Sequence, residues 1–432
     1  MHATIERWCE EYGPIFRFNI GRRHFVAVGD LDDINWILRE RPHTFSRWQD
    51  EQRIFEEAGF SGVFSEEGEE WRRTRRLVVR TLSLNQLQRY YDVVRMASEQ
   101  LYAHLLQRAA TGSFDVTEVL MPYTVDITSA LAFGCDGSSL SLDARRLQRQ
   151  MDLAFATISR RLSAPFPYWR FFPLPADRAF ARALAELQLA VAQFIEQARE
   201  RMVKRPELFE RPENFLEAML AAQASDGSFT DAEIAGNTLG LLIAGEDTTA
   251  NTLAWTVWLL STRPALQDRL AEEARGRLAG ERFPTSFEGV NELRLAEAVL
   301  RESMRIKPVA PALFMEPLVD VELQGVAIPA GTRLWLLTRH AALRTAEVER
   351  ALEFDPDRWL EPESTPAREA SLVFGAGPRF CPGRNLALLE AKAALAVFCR
   401  SFRFKPAGDD EVMEKLSFTM VPDTVRVELS RC

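Results

Sequence analysis

Residues 239–260, LGLLIAGEDTTANTLAWTVWLL, form an apolar run long enough to cross a bilayer, yet Glu246 and Asp247 sit at its centre. A carboxylate at mid-membrane costs about 2.5–3.5 kcal/mol even on the lenient insertion scale, so two of them argue against a span. The run reads instead as part of a helix of about 30 residues buried inside a soluble protein, which at ~1.5 Å per residue crosses a whole domain. The chain can build the core this requires: it has 432 residues, 47% hydrophobic and 27% charged. Buried acids and hydroxyls cost free energy unless paired, so the polar centre is either satisfied by neighbours or functional. A threonine bonding back to the carbonyl four residues earlier, beside a glycine, would bend the helix and leave a polar pocket.

Around this helix the pattern predicts a mostly α protein with a small β part. GPIFRFNIGRRHFVAVGD (13–30) alternates about a turn and reads as a β-hairpin. Residues 31–308 form a helical body, with apolar residues at three-and-four spacing in LNQLQRYYDVVRMASEQLYAHLLQRA and ADRAFARALAELQLAVAQFIEQARERMVKR. Short strands are expected over 309–340 and 400–432, where SFTMVPDTVRVEL reads as a strand pair. Repeats and linkers are absent from the pattern, which favours one domain over 1–432. Between helices, APFPYWRFFPLP (164–175) is either a hydrophobic turn buried against the core or the lip of a channel for apolar ligands.

The net charge of −9 excludes nucleic acid as a bulk partner. Five dispersed cysteines (Cys9, Cys135, Cys381, Cys399, Cys432), without a C-x-x-C pair, indicate reduced thiols and a cytoplasmic protein. MHATIERWCEEYGP carries no apolar signal region, and no membrane anchor is expected in this chain.

Cys381 lies in FGAGPRFCPG, at the turn entering the apolar helix NLALLEAKAALAVF. A helix N-terminus favours negative charge and so a thiolate. The neighbouring Gly375 and Gly377 would let the backbone pass close to something flat. The residues alone leave four readings open: a nucleophile needing a histidine base, a zinc ligand, an inert buried thiol, or the axial ligand of a haem iron.

FGAGPRFCPGRNLA resembles the haem-binding loop of the cytochrome P450 family, matching it at Phe374, Gly375, Arg379, Cys381 and Gly383. Three further motifs follow the family's order and extend the resemblance over nearly the whole chain. AGEDTT (244–249) resembles the stretch over the haem's oxygen face. The resemblance implies that Thr248 hydrogen-bonds and delivers protons to bound dioxygen, that Asp247 relays them, and that Ala244 and Gly245 make room for oxygen and substrate. ESMR, with Glu302 and Arg305, and FDPDRW, with Arg358, resemble a buried structural ion network that holds the segment before the cysteine loop. WRRTRR resembles the propionate-binding motif, implying Trp71 and Arg75 as haem contacts, with Arg379 as another. Arg72, Arg73, Arg76 and Arg80 are either a solvated face or a basic docking patch for an acidic electron donor.

The chain also departs from the family. An arginine that often follows RIKP and reaches a propionate is replaced by Met315, beside Glu316, and LRTAEV stands where Arg-Asp-Pro is usual.

Taken as a family member, the chain is a soluble bacterial-type haem-thiolate monooxygenase, with haem b (iron protoporphyrin IX) between the long central helix and the helix after Cys381. O2 would be the co-substrate, and electrons would come ultimately from NAD(P)H through a ferredoxin- or flavodoxin-type donor and its reductase. Alternatives on the same fold are a peroxygenase or isomerase, or a non-catalytic haem sensor; an intact Asp247–Thr248 pair counts against them. The implied pocket segments (44–64, Phe166 to Phe172, Ile243 and Ala244, Val309 to Phe314, Phe418 to Met420) suggest an apolar substrate such as a fatty acid, terpenoid, steroid or polyketide. Arg47 or Arg53 could serve a fatty-acid carboxylate.

Overall fold

In the computed structural model the described residues are all but 61, 135–142, 165, 279, 361–369, 409–410 and 417–418. Cys135 and Phe418 therefore lie outside them.

The central helix runs from Asp231 to Ser261. Thr230 opens it: its hydroxyl accepts from Glu233 N at 3.2 Å, and the Glu233 carboxylate accepts from Thr230 N at 2.7 Å. Each side chain thus satisfies a donor the helix start would leave free. The helix stays continuous through its polar centre and packs against the helices Thr117–Phe133 and Arg294–Ile306. Burial all round explains its apolar sequence, since Trp255 and Leu253 have no exposed surface. Among the described residues no helix is long and apolar enough to cross a membrane.

The hairpin forms as Ile15–Ile20 paired with Arg23–Val28, with Gly21 at positive φ in the turn. It joins a five-stranded sheet in the order Ile15–Ile20, Arg23–Val28, Leu334–Leu336, Leu313–Pro317, Phe45–Arg47. That last strand lies inside the stretch expected to be helical. Near the C-terminus the expected strand pair is not made. Met420–Pro422 pairs with Glu414–Leu416, while Arg426–Arg431 pairs with Phe402–Pro406 and Phe114–Asp115. Local alternation identified these strands but carries no information about partners.

An ion network fastens the first helix, His2–Tyr12, to this sheet region. Arg339 donates to Glu6 at 2.9 Å and to Glu414 at 2.8 Å, and His2 Nε2 lies 2.8 Å from Glu414. Burial alone would raise the Glu414 carboxyl, but His2, Arg339 and Lys307 together hold it well below the usual carboxylate range.

Candidate active site

The cysteine loop is a tight turn closed by its own backbone. Cys381 N donates to Phe374 O at 2.7 Å, Gly375 adopts φ +70°, and a single turn at Gly377–Arg379 leads to Cys381. The following helix spans Arg384–Ser401, with Gly383 as its N-cap. Burial pushes the Cys381 thiol up; the N–H groups of Gly383 and Arg384 and the guanidiniums of Arg75 and Arg384 pull it down, and burial wins. The helix start therefore offsets, without reversing, the cost of charging the sulfur. Gly377 is small for another reason than the one expected. A Cβ there would lie 2.4 Å from Leu38 O, so the bare backbone lets the loop seat on the helix Leu31–Arg39.

Beside the loop a group of guanidiniums gathers. Arg75 donates to Phe380 O and lies over the Phe380 ring. Arg379 lies over the Trp71 ring, 4.2 Å from its centroid, and pairs with Glu67. Arg41 and Arg47 complete the group. Burial, with Arg47 and Arg379 nearby, pushes Arg41 down to about 9, and burial pushes Arg379 down to about 10. Buried Nε atoms of Arg41, Arg47 and Arg379 have no hydrogen-bond partner.

On the central helix, Thr248 Oγ1 donates back to Ala244 O at 2.7 Å, the bond expected from the sequence. Ala244 is exposed although it lies halfway along a largely buried helix. Gly245 does not open this face, because a Cβ there would meet Thr128 at 3.0 Å; it admits the neighbouring helix. Asp247 is not bonded to Thr248. Its carboxylate accepts from Thr419 Oγ1 and from Asn251 Nδ2 at 2.8 Å, and burial raises its pKa despite both bonds. Neither partner was anticipated: Asn251, one turn on, could have been found from its i+4 spacing, whereas Thr419, 172 residues distant, left no such signal.

The sequence matches the cytochrome P450 family over residues 1–429. The chain belongs to the cytochrome P450 family. It is 28% identical to the chloroplastic protein LUTEIN DEFICIENT 5 of Arabidopsis thaliana, over 92% of this chain and 68% of that one. It is 26% identical to cytochrome P450 3A9 of Rattus norvegicus, over 96% and 83%. It is 28% identical to the mitochondrial 25-hydroxyvitamin D-1 alpha hydroxylase of Mus musculus, over 94% and 83%.

A P450 is a haem-thiolate monooxygenase that uses O2 and electrons derived from NAD(P)H. This P450's residues fit a haem on their own chemistry: one thiol at a helix start, buried cations with unpaired N–H donors suited to two carboxylates, and an acid and an alcohol on the exposed face around Ala244.

Glu302 and Arg305 have no exposed surface. Glu302 accepts from Arg305 at 2.8 and 2.9 Å, from Arg358 Nε at 3.0 Å, from Trp359 Nε1 at 2.8 Å and from Asp355 N at 3.0 Å. Trp359 and the Asp355 N–H were missed, since a motif of charges hides neutral donors. The segment around 164–175 is not a buried turn: Phe166, Phe171 and Phe172 are 53, 68 and 71% exposed, and Trp169 and Arg170 are tied to Glu57. Of Arg72, Arg73, Arg76 and Arg80, Arg72 pairs with Glu69 and Arg73 with Glu233, leaving Arg76 and Arg80 exposed.

One buried acid went unnoticed in the sequence. Glu390, on the helix after the cysteine loop, has its carboxyl pushed up to about 8 by burial, against a lowering bond from Thr249 of the central helix. An unfolded glutamate titrates near about 4.3. The folded state therefore keeps a proton that the unfolded state loses, so this contribution is complete below about pH 4.3 and declines until about pH 8. Glu390→Gln should remove the decline, gaining about 1–3 kcal/mol at pH 8.5 relative to pH 5. Thermal unfolding across that range measures it; parallel curves for the two proteins would refute the assignment.

Proposed function

We propose that this P450 hydroxylates or epoxidises an apolar small molecule, with Cys381 as the axial ligand of a haem b and Asp247 and Thr248 as its catalytic residues. The observation that carries the reading is the exposed Ala244 face, with Asp247 and Thr248 one turn on, at the centre of a largely buried helix. Trp71, Arg75 and Arg379 would hold the propionates, Phe374 and Gly383 would shape the cysteine turn, and Glu302, Arg305 and Arg358 would brace the segment before it. Residues 1–432 form one domain in this reading, acting in the cytoplasm with a separate ferredoxin- or flavodoxin-type donor and its reductase. The exposed Arg76 and Arg80 suit an acidic donor.

Bound in the site, the haem supplies O2 activation and oxygen insertion. The chain supplies protons and exclusion of water. Burial raises the Asp247 carboxyl, which favours a held proton; Asn251 and Thr419 fix the carboxylate. By turning away from Thr419 it comes free to pass that proton toward the Thr248 hydroxyl, whose own hydrogen is directed at Ala244 O. Thr248→Ala should leave substrate-induced spectral changes intact while sending most of the electrons from NAD(P)H to hydrogen peroxide. Product and peroxide measured per NAD(P)H consumed give the answer, and unchanged coupling would remove Thr248 from the relay.

Apolar substrates are supported by the exposed aromatic segment at 166–172 and by the relative named for hydroxylating 25-hydroxyvitamin D. Titration of the oxidised protein with fatty acids, steroids and terpenoids, followed in the haem absorption band, tests this. A shift for one class identifies it; a band moved only by polar ligands would overturn the apolar reading.

A further inference from the structure

Asp247 is held by two neutral donors, one on each carboxylate oxygen. Asn251 Nδ2 donates to Oδ1 at 2.8 Å and to the Asp247 carbonyl at 2.8 Å, and Thr419 Oγ1 donates to Oδ2. Among the described residues no cation pairs with this carboxylate; burial raises it, and Thr419, then Asn251, oppose the rise without cancelling it. A guanidinium in their place would keep the acid ionised. Neutral donors fix the carboxylate and still leave it able to take up a proton.

The two holds differ in what they are fixed to. Asn251 lies on the same helix as Asp247 and moves with it. Thr419 belongs to the turn between the paired strands Glu414–Leu416 and Met420–Pro422, and it is buried. Beside it, Met420 N donates to Val309 O at 2.7 Å and Met420 O accepts from Trp255 Nε1 at 3.2 Å. On the other strand Glu414 is held by His2, Lys307 and Arg339. Thr419 is therefore a fixed post, and any movement between the two side chains belongs to Asp247. Trp255 lies on the central helix, so the hairpin is already tied to that helix one residue away, and the Thr419 hydroxyl is not needed as a tether.

The strength of this hold depends on the proton. A hydroxyl donating to a carboxylate makes a charge-assisted bond, roughly twice as strong as one to a neutral acceptor. The charged form is docked firmly and the protonated form loosely.

We propose that Thr419 is a positioning residue of the proton relay, docking Asp247 on the hairpin while it is charged and releasing it toward Thr248 once it carries a proton. The acid then swings only when loaded. Its proton passes to Thr248 Oγ1 while the Thr248 hydrogen leaves toward the exposed Ala244 face; the carboxylate left behind returns to Thr419, and water reloads it. The inference rests on the relay role proposed for Asp247 and Thr248.

The test compares purified holoenzymes of Thr419→Val, Thr419→Ser, Asp247→Asn and the double variant. In infrared difference spectra between acid and neutral solution, the carboxyl band lost in Asp247→Asn reports the Asp247 proton. Removing a donor to the charged form should make that proton bind about 10-fold tighter in Thr419→Val, which moves the band's midpoint up by about one pH unit. The weaker acid should cut product per NAD(P)H by up to about 10-fold, measured with the fatty acid, steroid or terpenoid that shifts the wild-type haem band, and that shift should stay intact. Thr419→Ser, which keeps the hydroxyl, should recover most of both. The double variant should couple no worse than Asp247→Asn, because Thr419 acts through that carboxyl. An unchanged midpoint or unchanged coupling in Thr419→Val overturns the proposal, as does a double variant worse than Asp247→Asn. Thermal unfolding of Thr419→Val should match wild type; loss of the fold would make Thr419 a tether and overturn the proposal too. Unchanged coupling in Asp247→Asn would instead overturn the relay itself.

Discussion

Glu302→Gln should leave little of the protein able to fold and hold haem. The carboxylate accepts five hydrogen bonds from four residues, and its main partner, Arg305, has no exposed surface. Burial would raise the Glu302 carboxyl, but the Arg305 guanidinium and the other donors hold it below its ordinary value. Removing one member of such a pair strands a buried charge, at a cost of about 3–5 kcal/mol. Domains are commonly stable by only about 5–15 kcal/mol, so a large share disappears with one atom exchanged. The loss should concentrate before the cysteine loop, because Arg358, Trp359 and the Asp355 N–H all converge on this carboxylate. Denaturant unfolding followed by circular dichroism, with haem content measured in parallel, reads both effects. A midpoint unchanged from wild type would show that the network does not brace the fold.

Cys381→Ser should preserve most of the fold and abolish monooxygenation. The loop is closed by backbone, through Cys381 N to Phe374 O, and by Gly375 at positive φ, neither of which involves sulfur. A serine hydroxyl is nearly isosteric with the thiol but cannot ionise in this range, so the proposed ligation by Cys381 would lose its thiolate donation to iron. The ferrous carbon monoxide complex should lose the absorption of a thiolate-ligated haem, and product should fall to background. Retention of that absorption would mean that another residue ligates the iron. Thermal unfolding close to wild type would confirm that the effect is chemical.

What could be read in the sequence was whatever is written locally. The central helix declares itself through an apolar run and a polar interruption within one turn; its Thr230–Glu233 cap, equally local, went unread. The cysteine turn declares itself through glycines spaced around a thiol at a helix start. Contacts between distant segments left no such mark. Thr419 gives no sign that it holds Asp247, and nothing near Arg47 announces that it faces Met315. Small residues misled for a related reason: Gly245 and Gly377 admit neighbouring protein, Thr128 and Leu38, where the pattern suggested room for ligands. A glycine records that something comes close, not what it is.

The network joining His2 and Glu6 to Arg339 and Glu414 sets a schedule for synthesis. His2 and Glu414 are 412 positions apart, yet they touch. At roughly 5–20 residues per second, the first helix waits roughly 20–80 s after emerging from the ribosome before its last partner exists. For most of that interval, until Trp335 and Leu337 are made, Ile5 and Cys9, buried in the finished protein, lack part of the apolar cluster that covers them. The helix His2–Tyr12 is thus among the last parts to settle, and during translation it depends on whatever shields nascent chains.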